Sequence, residues 1–189
     1  MNIVGISGSL REGSFNLALL REMQKLAPSG MEITVADIGS LPLYNSDLET
    51  EFPPEALALK QKVENADGII IATPEFNRMI PGALSNAIDW LSRPYGKNSL
   101  AGKIVLVAGV SVGKIGTAIA QSQLKHTLLY LDARVIGQPE LYLGPAAEVF
   151  AMSDDQAKAY HDAPGPMKNE SVKELVAKAL ETLAARVQK

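Results

Sequence analysis

Gly68-Ile69-Ile70-Ile71-Ala72-Thr73-Pro74-Glu75-Phe76-Asn77-Arg78-Met79-Ile80-Pro81-Gly82 is the stretch that decides the fold. Its first five residues are an apolar, largely β-branched run without alternation, the pattern of a strand covered on both faces in a parallel sheet. Pro74 and Pro81 keep the segment between them out of a regular helix or ladder. Residues 83–91 then read as a helix. The chain therefore leaves a central strand at its carboxyl end and crosses the sheet edge as a stiffened loop. In open α/β sheets ligands bind at that edge.

Outward from this stretch, strands are expected at 3–6, 32–37, 103–108 and 133–136. The second alternates and belongs near an edge; the fourth is apolar on both faces. Helices are expected at 15–26, 55–64, 117–131 and 170–187. The first carries Leu17, Leu20 and Met23 at helical spacing. The last carries Val172, Leu175, Val176, Ala179, Leu180 and Leu183 on one face. Residues 144–165 read as loosely structured, with at most a short helix at 154–160. Strands alternating with helices predict an α/β fold: a doubly wound, parallel five-stranded sheet in three layers, in the flavodoxin-like order 2-1-3-4-5. The turns after strands one, three and four then open at the same end.

With 189 residues, 47% hydrophobic and 21% charged, residues 1–189 are expected to form one domain. A net charge of −3 gives no electrostatic footprint for nucleic acid or an anionic membrane. The chain has no cysteine, which excludes disulfides, thiolate catalysis, iron–sulfur clusters and cysteine zinc sites. His126 and His161 are its only histidines, so no metal site is expected. Met1 to Ile6 enter a strand directly with no leader pattern, and no apolar run reaches the length of a membrane span. A cytoplasmic protein is the expectation.

The first loop crowds Ser9, Arg11, Ser14 and Asn16 into a turn that opens a helix. Free N–H groups and the dipole at a helix N-terminus attract anions, and a guanidinium fork suits phosphate oxygens. Together they suit a terminal phosphate monoester. The same residues also serve plain capping, with Ser14 or Asn16 as N-cap and Arg11 in solvent; spacing alone leaves both readings standing. The loop is neither a P-loop nor G-x-G-x-x-G, which argues against a nucleoside triphosphate or a Rossmann-bound dinucleotide as primary ligand. In the central loop, Pro74, Glu75, Phe76 and Asn77 offer backbone donors and acceptors, a ring and an amide to a flat heteroaromatic. A lone Glu75 is read as solvated or bound to nearby N–H groups, not as a general base. Asn86 and Asp89 read as local capping and exposed positions, Trp90 and Leu91 as core or subunit contact. Ser111-Val112-Gly113 lets a ring approach the backbone closely. Arg78 and Lys114 read as solvated charges.

Taken together, the loops resemble a known family. Gly8-Ser9-Leu10-Arg11-Glu12-Gly13-Ser14-Phe15-Asn16 is similar to the phosphate-loop motif of the NADPH-dependent FMN reductases. Pro74-Glu75-Phe76-Asn77, with Pro81-Gly82-Ala83-Leu84-Ser85-Asn86-Ala87-Ile88-Asp89-Trp90, resembles that family's second signature, nearest to the bacterial quinone and chromate reductases. The resemblance implies non-covalent FMN. It places Ser9, Arg11, Ser14, Phe15 and Asn16 on the phosphate and ribityl chain. Pro74, Glu75, Phe76 and Asn77 line the isoalloxazine, with Ser111 and Gly113 on its other side. It implies hydride transfer from NADPH or NADH to the flavin, then electrons to a quinone or similar acceptor, with no side chain needed as acid or base. It also implies a homodimer or homotetramer. Two departures stand out: Phe76 occupies a position where the family often has tyrosine, and Gly116-Thr117-Ala118-Ile119 lacks an arginine often found there. A flavodoxin-type electron carrier also binds FMN and is the alternative. A phosphatase lacks its cysteine, and a response-regulator module lacks paired aspartates after the first strand.

Overall fold

The computed structural model describes residues 1–153 and 162–188. Its elements are β1 (Asn2–Ser7), α1 (Phe15–Leu26), β2 (Glu32–Ala36), a 3-10 turn (Ser46–Glu49), α2 (Pro54–Glu64), β3 (Gly68–Ala72), α3 (Gly82–Leu91) and β4 (Ile104–Val110). They continue with α4 (Ala118–Tyr130), β5 (Arg134–Val135), β6 (Leu141–Leu143), α5 (Ala146–Val149) and α6 (Glu170–Val187). The short helix expected at 154–160 lies outside the described residues but for its flanks, as does His161. Among the described residues no helix is long and apolar enough to cross a membrane.

The sheet runs β2-β1-β3-β4-β5, the expected order, and every pairing is parallel. β3 is the buried centre: all five of its residues are shielded. Ile70 and Ala72 face one core with α1 and α6; Ile69 and Ile71 face another with α2, α3 and α4. That two-sided burial is why the run shows no alternation. In α1 the core face is Leu19, Leu20 and Met23, while Leu17 stays half-buried, one step off the expected spacing.

The last strand differs from expectation. In place of one segment at 133–136, β4 carries two short partners end to end. β5 pairs with Ile104 and Val105, and β6 pairs with Ala108, Gly109 and Val110. Gly137-Gln138-Pro139 interrupts them, since proline has no N–H for the ladder. Pairing with β6 also carries β4 two residues past the expected end at 108. Gly109 is required there, because a Cβ would run into the Thr73 carbonyl and the Thr117 hydroxyl. The carboxyl ends of β1, β3 and β4 thus lie side by side, in register from Ser7 to Ala72 to Ala108.

Candidate functional site

The first loop leaves β1 with Gly8 N–H bonded to Ala72 O at 2.8 Å and enters α1 at Ser14. Ser14 is the N-cap: its Oγ accepts from Leu17 N–H at 3.1 Å. The capping alternative therefore holds for Ser14, which faces a different cavity, beside Glu12, Arg21 and residues 163–166. Asn16 does something the sequence did not signal. Its Oδ1 accepts from Val110 N–H at 3.0 Å and its Nδ2 donates to Val110 O at 3.2 Å. The residue is 2% exposed. Its amide thus ties the start of α1 to the end of β4.

Arg11 stands over the Phe15 ring, its guanidinium carbon 4.9 Å from the centroid. Its Nη1 is buried without a hydrogen-bond partner. Burial lowers the guanidinium's pKa from its ordinary value. Arginine stays protonated regardless, so a desolvated, unpaired donor at a helix N-terminus is a charge lacking its anion. Ser9 is half-buried beside it, its Oγ accepting from Arg11 N–H at 3.4 Å.

The central loop is a tight hairpin. Phe76 and Met79 exchange both backbone hydrogen bonds, at 3.0 and 2.9 Å. Asn77 and Arg78 between them have φ of 52° and 63°, the left-handed pair of a type I′ turn. Asparagine tolerates that region; arginine occupies it under strain. Phe76 is 55% exposed. Glu75 is not solvated: its side chain is 6% exposed, and Oε1 accepts from Arg78 Nη1 at 2.9 Å. Arg78 is solvated as expected, and it also pairs with Glu75. The third loop is held by Ser111, whose N–H donates to Leu143 O and whose Oγ accepts from Gly113 N–H at 3.2 Å.

These loops enclose a cavity of about 190 Å³ lined by Ser9, Arg11, Phe15, Asn16, Pro74, Glu75, Phe76, Val110, Ser111 and Val112. It is mainly apolar, with the Arg11 cation at one end. Most of the expected site residues meet here; Ser14, Asn77 and Gly113 do not line it. Val110 and Val112 line it too; they fall in the third loop expected at the site, but within an apolar strand end nothing in residue type singles out a valine as a lining residue. A volume below the roughly 300–1,000 Å³ that encloses a small ligand means a slot for one edge of a ring, with the rest open. A separate groove of about 430 Å³ runs on the other side of Ser9 and Arg11, towards Arg21 and Asp37.

Behind the site, α3 corrects the reading of Asn86 and agrees with the core reading of Trp90. Asn86 is 9% exposed and no local cap: Oδ1 accepts from Tyr44 N–H at 2.8 Å and Nδ2 donates to Pro42 O at 2.9 Å. Trp90 is wholly buried, its Nε1–H donating to Pro42 O at 2.8 Å, with Tyr44 and Phe52 edge-on to its rings. Asp89 is exposed as expected. The signature on α3 therefore anchors residues 42–44 and lies outside the cavity's lining.

Comparison with known proteins agrees with this geometry. The model of the family NADPH-dependent FMN reductase matches residues 1–148. The chain is similar to a 2-hydroxy-1,4-benzoquinone reductase of a Burkholderia species, 48% identical over 143 residues, 76% of this chain and 78% of the relative. It is 38% identical over 190 residues to an NAD(P)H-dependent FMN reductase of Pseudomonas aeruginosa, covering 100% of this chain and 96% of the relative. Among solved structures, a flavoenzyme NAD(P)H:(acceptor) oxidoreductase of Paracoccus denitrificans superposes with a TM-score of 0.86. It is 36% identical and covers 99% of this chain and 97% of that one.

Proposed function

The chain belongs to the NADPH-dependent FMN reductase family, and on that premise we propose that its cavity holds FMN non-covalently and hands electrons from NAD(P)H to a quinone. The activity is that of an NAD(P)H-dependent flavin oxidoreductase, as its relatives are. The observation that carries the cofactor site is Arg11 Nη1, buried and unpartnered at the end of an apolar slot. A phosphate monoester there supplies the missing acceptor, and a flat ring on the same molecule reaches between Pro74–Phe76 and Val110–Val112. When bound, FMN supplies two-electron chemistry, taking a hydride from the nicotinamide and reducing the acceptor.

What the chain's own residues contribute is binding and orientation. Arg11, the Ser9 hydroxyl and the Asn16 backbone N–H hold the phosphate. Ser14 and Phe15 set the start of α1, with Phe15 stacked on buried Phe150, ring centroids 6.3 Å apart. Pro74, Glu75 and Phe76 flank the ring on one side of the slot and Ser111 on the other, while Asn77 and Gly113 shape the loops that carry them. Among the described residues lining the cavity, Glu75 brings the one carboxylate, and it is already bonded elsewhere. Open access over the slot suits hydride transfer and then acceptor binding on one exposed ring face. One FMN-binding unit over residues 1–189 goes with this reading. So does self-association as a homodimer or homotetramer, which exposed Leu129 and Tyr130 support. A cytoplasmic place follows from the need for reduced nicotinamide nucleotide.

The test is the visible spectrum of purified protein before and after anaerobic NADPH, then after a quinone. Flavin bands that bleach and return upon quinone are expected. Protein that takes up no FMN on reconstitution overturns the proposal, and bands that survive both NADPH and NADH favour an electron carrier.

A further inference from the structure

Glu75 sits in the middle of the flavin-facing loop, yet its carboxylate is spent on a distant helix. Oε2 accepts from the backbone N–H groups of Ile119 and Ala120, at 3.0 and 3.1 Å. These are the second and third residues of α4, whose N-cap, Thr117, makes no side-chain capping bond. The Thr117 hydroxyl instead accepts from Gln121 Nε2 at 2.9 Å. An N-cap side chain ordinarily satisfies those donors, and a negative charge there suits the helix dipole. Here a residue 44 positions earlier does both. Oε1 meanwhile holds Arg78 on the far side of the type I′ turn, and Gln123 Nε2 donates to Arg78 O at 3.0 Å. The hairpin is thus fastened to α4 at its base and at its tip.

We infer that Glu75 is a positioning residue, a clamp that sets where Phe76 stands over the slot and so the width available to the electron-accepting ring. The turn itself does not hold that position, because Arg78 sits in the left-handed region. Phe76 is too exposed to be fixed by packing. Without the carboxylate, the N-terminus of α4 loses the side-chain acceptor of Ile119 and Ala120, and the hairpin loses its base contact. The phosphate end, built on Ser9 and Arg11, is untouched. Glu75 therefore bears on the ring end of the slot, where the acceptor must also enter, and not on its phosphate end. This rests on the FMN reading for its catalytic consequence, while the clamp itself does not.

The experiment compares wild type, Glu75→Ala and Glu75→Gln by amide hydrogen exchange and by quinone kinetics on FMN-loaded protein. In Glu75→Ala, exchange at the Ile119 and Ala120 amides is expected to accelerate about tenfold, with Ile70 of β3 unchanged as internal control. The KM for a benzoquinone, measured with FMN saturating, rises by a similar factor, about tenfold. Glu75→Gln keeps an acceptor oxygen for α4 and restores most of both effects. Unchanged exchange at Ile119 and Ala120 in Glu75→Ala overturns the clamp, whether or not the protein takes up flavin. Faster exchange with an unchanged KM overturns the positioning role and leaves a helix cap. Wild-type protein that takes up no FMN removes the proposed function, and the exchange data still decide the clamp.

Discussion

Asn16, on α1, spends both ends of its amide on one main-chain residue of β4, and no hydroxyl or carboxylate can do the same. Replacing it with leucine leaves the buried N–H and C=O of Val110 unpaired, each a loss of roughly 1–3 kcal/mol. Asn16→Leu is therefore expected to lower stability by about 2–4 kcal/mol, read as a lower urea midpoint with an unchanged slope. An unchanged midpoint would show the Val110 bonds to be dispensable. Arg11 carries a different expectation. It fills no structural bond, so Arg11→Ala weakens FMN binding by roughly 10- to 100-fold, measured by fluorescence titration, with little change in the midpoint. These residues show what the sequence could disclose. Arg11 and Ser9 were legible because a cation and hydroxyl before a helix have few other uses. The tasks of Asn16 and Glu75 were not, because each depends on a partner strand or helix more than forty residues away.

Among elements, the α3–β4 connection shows how buried charge is managed. Lys60 on α2 is 6% exposed, and its Nζ donates to Leu91 O at 3.3 Å, Lys97 O at 2.9 Å and Ser99 Oγ at 2.6 Å. Desolvation lowers its pKa below the ordinary lysine value, against the pull of Glu64. Lys60→Met keeps the aliphatic stem but strips those acceptors of a donor, an expected loss of roughly 1–3 kcal/mol at pH 7. The sign with pH follows from the lowered pKa. The folded state binds this proton less tightly than the unfolded one, so wild type gains stability as pH rises towards about 10.4. Lys60→Met lacks that gain, so the difference between the two is expected to widen from pH 7 to pH 10 in urea unfolding. A constant difference would show the ammonium to be no harder to keep charged than in water. Most element types were legible, because apolar spacing reports burial directly; α5, in a stretch that reads as loosely structured, was not, being too short to show a helical period. Nor was the split of the last strand: 133–136 reads as one short strand, Leu141-Tyr142-Leu143 is too short to signal a second, and only the shared partner β4 joins them.

At the scale of the whole molecule, two cores on either side of one sheet hold the frame, and the candidate site is confined to loops at the strands' carboxyl ends. Such loops gain order from a ligand without the frame having to move. A ligand that binds only the folded chain then stabilises all of it by mass action. At one hundred times its dissociation constant, FMN adds about 2.7 kcal/mol. For a chain of this size each kcal/mol is worth roughly 2–4 °C, so the thermal midpoint is expected to rise by about 5–11 °C. Riboflavin carries the same ring without the phosphate. If Arg11 supplies the anchoring charge, riboflavin at the same concentration gives a much smaller rise in wild type. Arg11→Ala then brings the FMN response down to the riboflavin response. Differential scanning calorimetry on the four combinations separates ring from phosphate. Equal shifts from FMN and riboflavin in wild type would mean that the slot between the second and third loops binds the flavin alone, and that the first loop is only a helix cap.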